Sequence, residues 1–188
     1  MIVIDASQIK KLNAVLGHIK NGVPRALAPA INRALASGQT TIKREIRKDY
    51  LIKAKDIPTA VHRATFGSLK GEIRIRQGML DASKFFFTPR GISRRKNRKP
   101  VYVKVKKGGG GTILRGFTAH MIGGGIGPMQ RRAAAPRLPI RKVITIGAPI
   151  MASQPAVGPA ANKAMGDTFA KRLDHEINRV MASAGGHS

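Results

Sequence analysis

The apolar residues of this chain repeat at helical spacing, switch to a period of two, and then switch back, an order that no single-class fold accommodates. Ile9, Leu12, Val15, Leu16 and Ile19 share one helical face, with Asp5 or Ser7 able to cap the start and Asn21-Gly22 to end it. Residues 2–4 ahead of it read as a short strand. Pro24 marks a second helix start, with Pro29 expected within the first turn. Leu27, Ile31, Leu35, Ile42 and Ile46 then form the stripe of a longer helix running to about Lys48, and Arg33, Lys43, Arg44, Arg47 and Lys48 occupy its other face. A short helix is predicted over 56–63, with Pro58 in its first turn.

From there the alternation is of strand type. Glu72-Ile-Arg-Ile-Arg76 sets Ile73 and Ile75 inward, Lys84-Phe-Phe-Phe-Thr88 is a short aromatic strand, and Val101-Tyr-Val-Lys-Val-Lys-Lys107 puts Val101, Val103 and Val105 on one face. Val143-Ile-Thr-Ile146 closes the strand-rich part, and helical spacing returns through Ala164, Phe169, Leu173, Ile177 and Val180. The expected fold is α+β: N-terminal helices, a mostly antiparallel β-sheet with long basic and Gly-rich loops, and a C-terminal helix. A length of 188 residues predicts one domain over 1–188, with helices in 5–50, strands in 57–150 and the closing helix in 159–184. There is no internal repeat.

Charge narrows the function. Lys and Arg number 35 against 9 acids, a formal +26, and a folded domain with that excess repels itself unless a polyanion or an acidic protein meets it. The 42% hydrophobic content is enough to pack a core, so this is not a disordered basic tail. Aromatics reach only 4%, with no Trp, which argues against a nucleic-acid binder that works by base stacking. After Asp81 the next acid is Asp167, so 82–166 holds no carboxylate, yet it carries a dense set of cations. Those singled out for contact with DNA or an acidic partner are Arg90, Arg94, Arg95, Lys96, Arg98, Lys99, Lys104, Lys106, Lys107, Arg131 and Arg132, with Arg137, Arg141 and Lys142 nearby. The run Arg94-Arg-Lys-Asn-Arg-Lys99 also reads as a solvated loop or as a nuclear-localisation-like match; its place in the acid-free stretch raises the weight of polyanion contact.

Catalytic constellations are missing from the sequence. Cysteine is absent, which removes disulfides, thiolate metal sites and a cysteine nucleophile. The histidines His18, His62, His120, His175 and His187 are scattered, and His175-Glu176 reads as a solvated helix face. No Gly-x-Ser-x-Gly elbow is present, and the acids form no evident pair for acid–base work. Gly108–Gly111 follows a strand pattern, but no Gly-Lys-Ser/Thr closes it, so a flexible hairpin tip able to approach a neighbouring subunit is expected in place of a phosphate loop. No cofactor and no metal are implied. No apolar run approaches the length of a membrane span. Met1-Ile-Val-Ile-Asp5 lacks the basic region and apolar stretch of a signal peptide, which predicts a soluble protein of the cytoplasm.

Several segments, taken in order, resemble the minor tail protein Z family of siphophages and their prophages. They are Ala30-Ile-Asn-Arg33, the connector to Arg63-Ala-Thr65, Ile73-Arg-Ile-Arg76, the cluster at 94–99, the Lys-Gly-Gly-Gly turn at 107–110, Met129-Gln-Arg131 and Ala148-Pro-Ile-Met151. Together they span roughly residues 20–180. The resemblance implies a non-enzymatic virion component, a neck or tail-completion protein at the head–tail joint, assembled in the host cytoplasm. It further implies a homo-oligomeric ring, sixfold by analogy with tail symmetry, around the DNA channel. Its partners would be the head-closure protein, the tail terminator, the tape measure or the genomic DNA. Composition alone favours a second class, a non-enzymatic basic nucleic-acid-binding protein.

Overall fold

The computed structural model describes residues 12–76, 78–92, 99–131 and 139–185. Residues 2–4 and the start of the first helix, Ile9 included, lie outside the described residues, as do Arg94, Arg95, Lys96, Arg98, Arg132 and Arg137. The element order is α+β as the periods predict: helices first, then small antiparallel sheets, then a long closing helix. The chain divides into two compact units, one formed by 1–43, 59–75 and 154–188, the other by 44–58 and 76–153.

The first unit is mostly helical, with one hairpin. Helix α1 occupies 12–16, and helix α2 runs Gly22–Asp49 after a turn in which Asn21 takes φ 57°. Leu12 and Leu16 are buried and Ile19 packs against their cluster, but Val15 is 42% exposed. Along α2 the whole predicted stripe is buried, with Ala26, Ala30 and Ala34 beside it. Pro29 sits inside α2 and not in its first turn. Its missing N–H leaves the Arg25 carbonyl without its helical donor, a cost of about 3 kcal/mol. Leu27, Ile31 and Leu35, worth ~1.5–3 kcal/mol each on burial, outweigh it. Arg47 and Lys48 in the last turn suit the negative end of the helix dipole.

The helix predicted over 56–63 is instead a single 3₁₀ turn at Ala54–Asp56 followed by strand β1, Thr59–His62. β1 pairs antiparallel with β2, Glu72–Ile75, with Thr59 opposite Ile75 and Val61 opposite Ile73. Β-branched residues at Thr59 and Val61, and a partner strand with matching alternation, override the weak helical pattern. The hairpin turns tightly, Thr65 and Ser68 exchanging backbone hydrogen bonds of 2.8 and 3.2 Å. It is tied to α2 by Asn32, whose amide donates to the Ala64 carbonyl (3.0 Å) and accepts from the Ala64 N–H (2.8 Å). The closing helix α4, Val157–Gly185, supplies Met165, Phe169 and Val180 to the same apolar cluster as Leu12, Leu16, Leu27, Ile31 and Leu35. Thr168 Oγ1 donates to Ser37 Oγ at 2.9 Å within it.

The second unit holds the remaining strands: β3 Met79–Asp81, β4 Phe86–Thr88, β5 Val101–Lys106, β6 Gly109–Ile113, β7 Gly116–His120, β8 Ile126–Arg131, β9 Ile140–Lys142 and β10 Ile144–Gly147, then the short helix α3, Ala148–Ala152. They form sheets ordered β10-β3, β4-β5-β6 and β7-β8-β9, antiparallel throughout. Val101, Val103 and Phe87 are buried as the alternation predicts, with Ala82, and Val105, Ile113 and Val143 pack against them. The aromatic strand is shorter than expected: Phe85 and Phe87 are buried, while Phe86 is 43% exposed. Of the glycine run, only Lys107-Gly108 makes the turn, and Gly109–Gly111 extend as strand β6. The second glycine run is the β7–β8 turn, where Gly123, Gly124 and Gly125 take φ of 93°, 92° and 81°. Only glycine adopts three such angles in a row without strain.

Candidate functional site

The site residues foreseen from charge all belong to the second unit, and so does most of the excess. That unit carries 22 Lys and Arg against 4 acids, net +18, whereas the first carries 13 against 5, net +8. Alternation explains how strands hold so many cations: one face of each strand packs inward and the other is free to carry charge.

The described members fall on two of the sheets. On the β4-β5-β6 sheet, Lys104 lies opposite Phe86, and Lys106 bridges Tyr50 at the end of α2. The Lys106 ammonium sits 5.7 Å from the centre of the buried Tyr50 ring. Lys107 starts the turn, and its N–H donates to the Asp49 carbonyl at 2.8 Å. Arg90, just after β4, lies 5.2 Å from the centre of the Phe87 ring, and Lys99 is exposed ahead of β5. On the β7-β8-β9 sheet, Arg131 stacks 4.8 Å from the centre of the Phe117 ring. Register puts Lys142, opposite Met129, on the same face as Arg131, and sets Arg141 on the other, opposite Gln130.

Counter-charges are few. Among the described residues, the ion pair within this set is Lys142–Asp81, at 3.8 Å. Three other acids pair elsewhere: Glu72 with Arg74, Glu176 with Arg179, and Glu45 with Lys48 and Arg44. The hydrogen bond from Lys48 holds the Glu45 carboxyl below the usual carboxylate range, against the opposing effect of burial, with Arg44 adding to the pull. His175-Glu176 is part of the Arg179 pair on α4, and its imidazole stands 3.9 Å from the carboxylate.

Sequence reasoning missed the rings beneath the cations. Phe87, Phe117 and Tyr50 are buried, and each supports an Arg or Lys on its face, which orients the cation at little entropic cost. The available signal was an aromatic at an inward strand position near a basic residue, as in Phe87 and Arg90. Strands β6, β7 and β8 were also missed, since glycine and Pro128 hide their alternation, as were β3 and β9, which at three residues each are too short to show one. Among the described residues, no three His, Asp or Glu side chains gather closely enough to hold a metal ion. No helix there is long and apolar enough to cross a membrane.

No curated protein and no solved structure matches this chain. The family described as prophage minor tail protein Z (GPZ) matches residues 7–183, nearly the whole length. With that match added to the order of segments from Ala30-Ile-Asn-Arg33 to Ala148-Pro-Ile-Met151, the chain belongs to the prophage minor tail protein Z family, structural proteins of the phage tail.

Proposed function

We propose that this tail protein is a neck or tail-completion subunit, forming a closed ring of sixfold symmetry at the head–tail joint around the DNA channel. The observation that carries the proposal is the segregation of charge into the second unit, net +18, beside an acid-free stretch at 82–166. A ring around a polyanion needs one strongly positive surface, and head-to-tail contacts between identical subunits close into a ring when the rotation allows. Arg90, Arg94, Arg95, Lys96, Arg98, Lys99, Lys104, Lys106, Lys107, Arg131 and Arg132 contact the genome or acidic neighbours such as the head-closure protein, tail terminator or tape measure. Such contacts are sequence-blind and salt-sensitive.

The role is non-enzymatic, and assembly takes place in the host cytoplasm. The chain works as one domain over 1–188. It passes between its two compact units at 43/44, 58/59, 75/76 and 153/154, so neither unit is a continuous segment that could be detached.

Electron microscopy of particles made with and without this protein tests the proposal. A ring at the head–tail joint, absent from the deletion, is the expected result. Necks that look identical, with the protein missing from purified particles, would sink it in favour of a nucleic-acid-binding protein acting outside the virion.

A further inference from the structure

Sheet edges expose a row of unpaired N–H and C=O groups, and proteins normally blunt them with Lys, Pro or bulges. The β9 edge follows that rule, with Arg141 and Lys142 both exposed. The β6 edge does not. β6 pairs with β5 on one side, Val101 opposite Ile113, Tyr102 opposite Thr112 and Val103 opposite Gly111, and among the described residues nothing pairs with its other side. It opens with Gly109-Gly-Gly111, and all three are exposed. A Cβ at Gly109 or Gly111 would meet open space, so among the described residues no side chain covers the strand at these two positions.

Glycines in a strand cost about 0.5–1 kcal/mol each against alanine, so such an edge needs local support. Tyr102 supplies it. A Cβ at Gly110 would collide with the Tyr102 hydroxyl end and the Val103 carbonyl, so the ring lies over the bare backbone and holds it extended. The edge is therefore both open and ordered. Its surroundings are cationic: Lys104, Lys106 and Lys107 are on β5 and the turn, and the exposed Lys106, whose ammonium lies by the Tyr50 ring, is opposite Gly109, which has no side chain to cover it.

We propose that the outer edge of β6 accepts an extended, acid-rich segment of a different tail protein by strand addition, with backbone hydrogen bonds to Gly109–Ile113 and carboxylates reaching Lys104, Lys106 and Lys107. Charge complementarity selects this occupant. A second copy brings a further +26 and, from 82–166, no acid with which to answer these lysines. Strand addition suits a glycine edge because the affinity comes from the main chain, with side chains only choosing the partner. The inference needs the tail placement and not the ring at the neck.

Carbodiimide, which joins lysine amines to carboxylates in contact, tests the charge half on purified particles. Amide hydrogen exchange of Gly109–Ile113, in particles against the free chain, tests the backbone half. The expected result is Lys104, Lys106 or Lys107 joined to Asp or Glu of another tail protein, with exchange in Gly109–Ile113 slowed at least about tenfold on assembly. Cross-links confined to copies of this chain would overturn the proposal. So would cross-links to another protein with exchange left fast, since that is ionic contact without strand pairing, and so would the absence of both signals. A ring seen by microscopy with β6 unprotected would sink this inference and leave the neck proposal standing.

Discussion

Half of this molecule is held together by apolar packing, and half presents charge. The first unit builds one continuous cluster from both ends of the chain, reaching from Leu12 and Leu16 through the α2 stripe to Met165, Phe169 and Val180. The second distributes its apolar residues beneath small sheets, as in the group of Ala82, Phe87, Val101 and Val103, while carrying net +18 against net +8. Repulsion within the second unit opposes its own folding, and screening relieves it. The difference teaches that a protein with a large one-sign excess can confine the self-repulsion to one unit and leave the other to supply stability.

The comparison breaks most sharply where packing is removed from the first unit. Phe169→Ala, in the middle of its cluster, should cost about 3–5 kcal/mol in denaturant unfolding. A loss below about 1 kcal/mol would mean that the cluster does not carry the unit. Next in size is Asn32→Ala, which strips both hydrogen bonds from the buried Ala64 backbone and should cost about 1–3 kcal/mol, loosening amide protection across the β1–β2 hairpin first.

Salt sharpens the contrast from the other side. Raising ionic strength should slow amide exchange in the second unit and leave the first nearly unchanged; an equal response in both would dissolve the distinction. Replacing Lys104, Lys106 and Lys107 together by Gln should move stability by less than about 0.5 kcal/mol per site, upward if at all. The same variant should flatten the salt dependence of DNA binding by about 2–3 in log–log slope, if these lysines meet phosphates. The smallest effect is expected at Glu45, whose carboxyl is held below its ordinary value chiefly by Lys48. A lowered folded-state value stabilises above the unfolded carboxyl range and is lost as pH falls through the folded value. Glu45→Gln should therefore be less stable than the parent at neutral pH, with the gap closing under acid. A gap independent of pH would show that the ion pair is not its source.

Helices α1, α2 and α4 and four of the strands were legible because their periodicity is long or clean, whereas the five-residue α3 was not. The stripe from Leu27 to Ile46 needs no tertiary information, and neither does Val101-x-Val103. What escaped was whatever depends on a distant partner. Thr59–His62 is too short to declare a period, and becomes a strand because Ile73 and Ile75 are there to pair with it. Pro29 reads as a first-turn residue after Pro24, yet lies inside a helix whose stripe outweighs its missing donor. Gly109–Gly111 carries no side-chain pattern at all, so its strand is dictated wholly by β5 and the Tyr102 ring. At the candidate site the cations were plain in the sequence. Their aromatic supports were not, because Phe117 and Arg131 come together only through the β7–β8 hairpin.

The passage of the chain between its two units has a consequence for synthesis. Leu27, Ile31 and Leu35 leave the ribosome well before Met165, Phe169 and Val180, which cover the same cluster. Until then the nascent chain holds an uncovered apolar helix face, followed in sequence by a strongly cationic strand-rich stretch, inside a cell full of ribosomal RNA. Premature release therefore leaves a fragment whose longest helix lacks its cover, and such fragments aggregate or are degraded. A chain has to be made through α4 before the apolar face of α2 is covered, so the last helix completes the unit that the earlier ones begin.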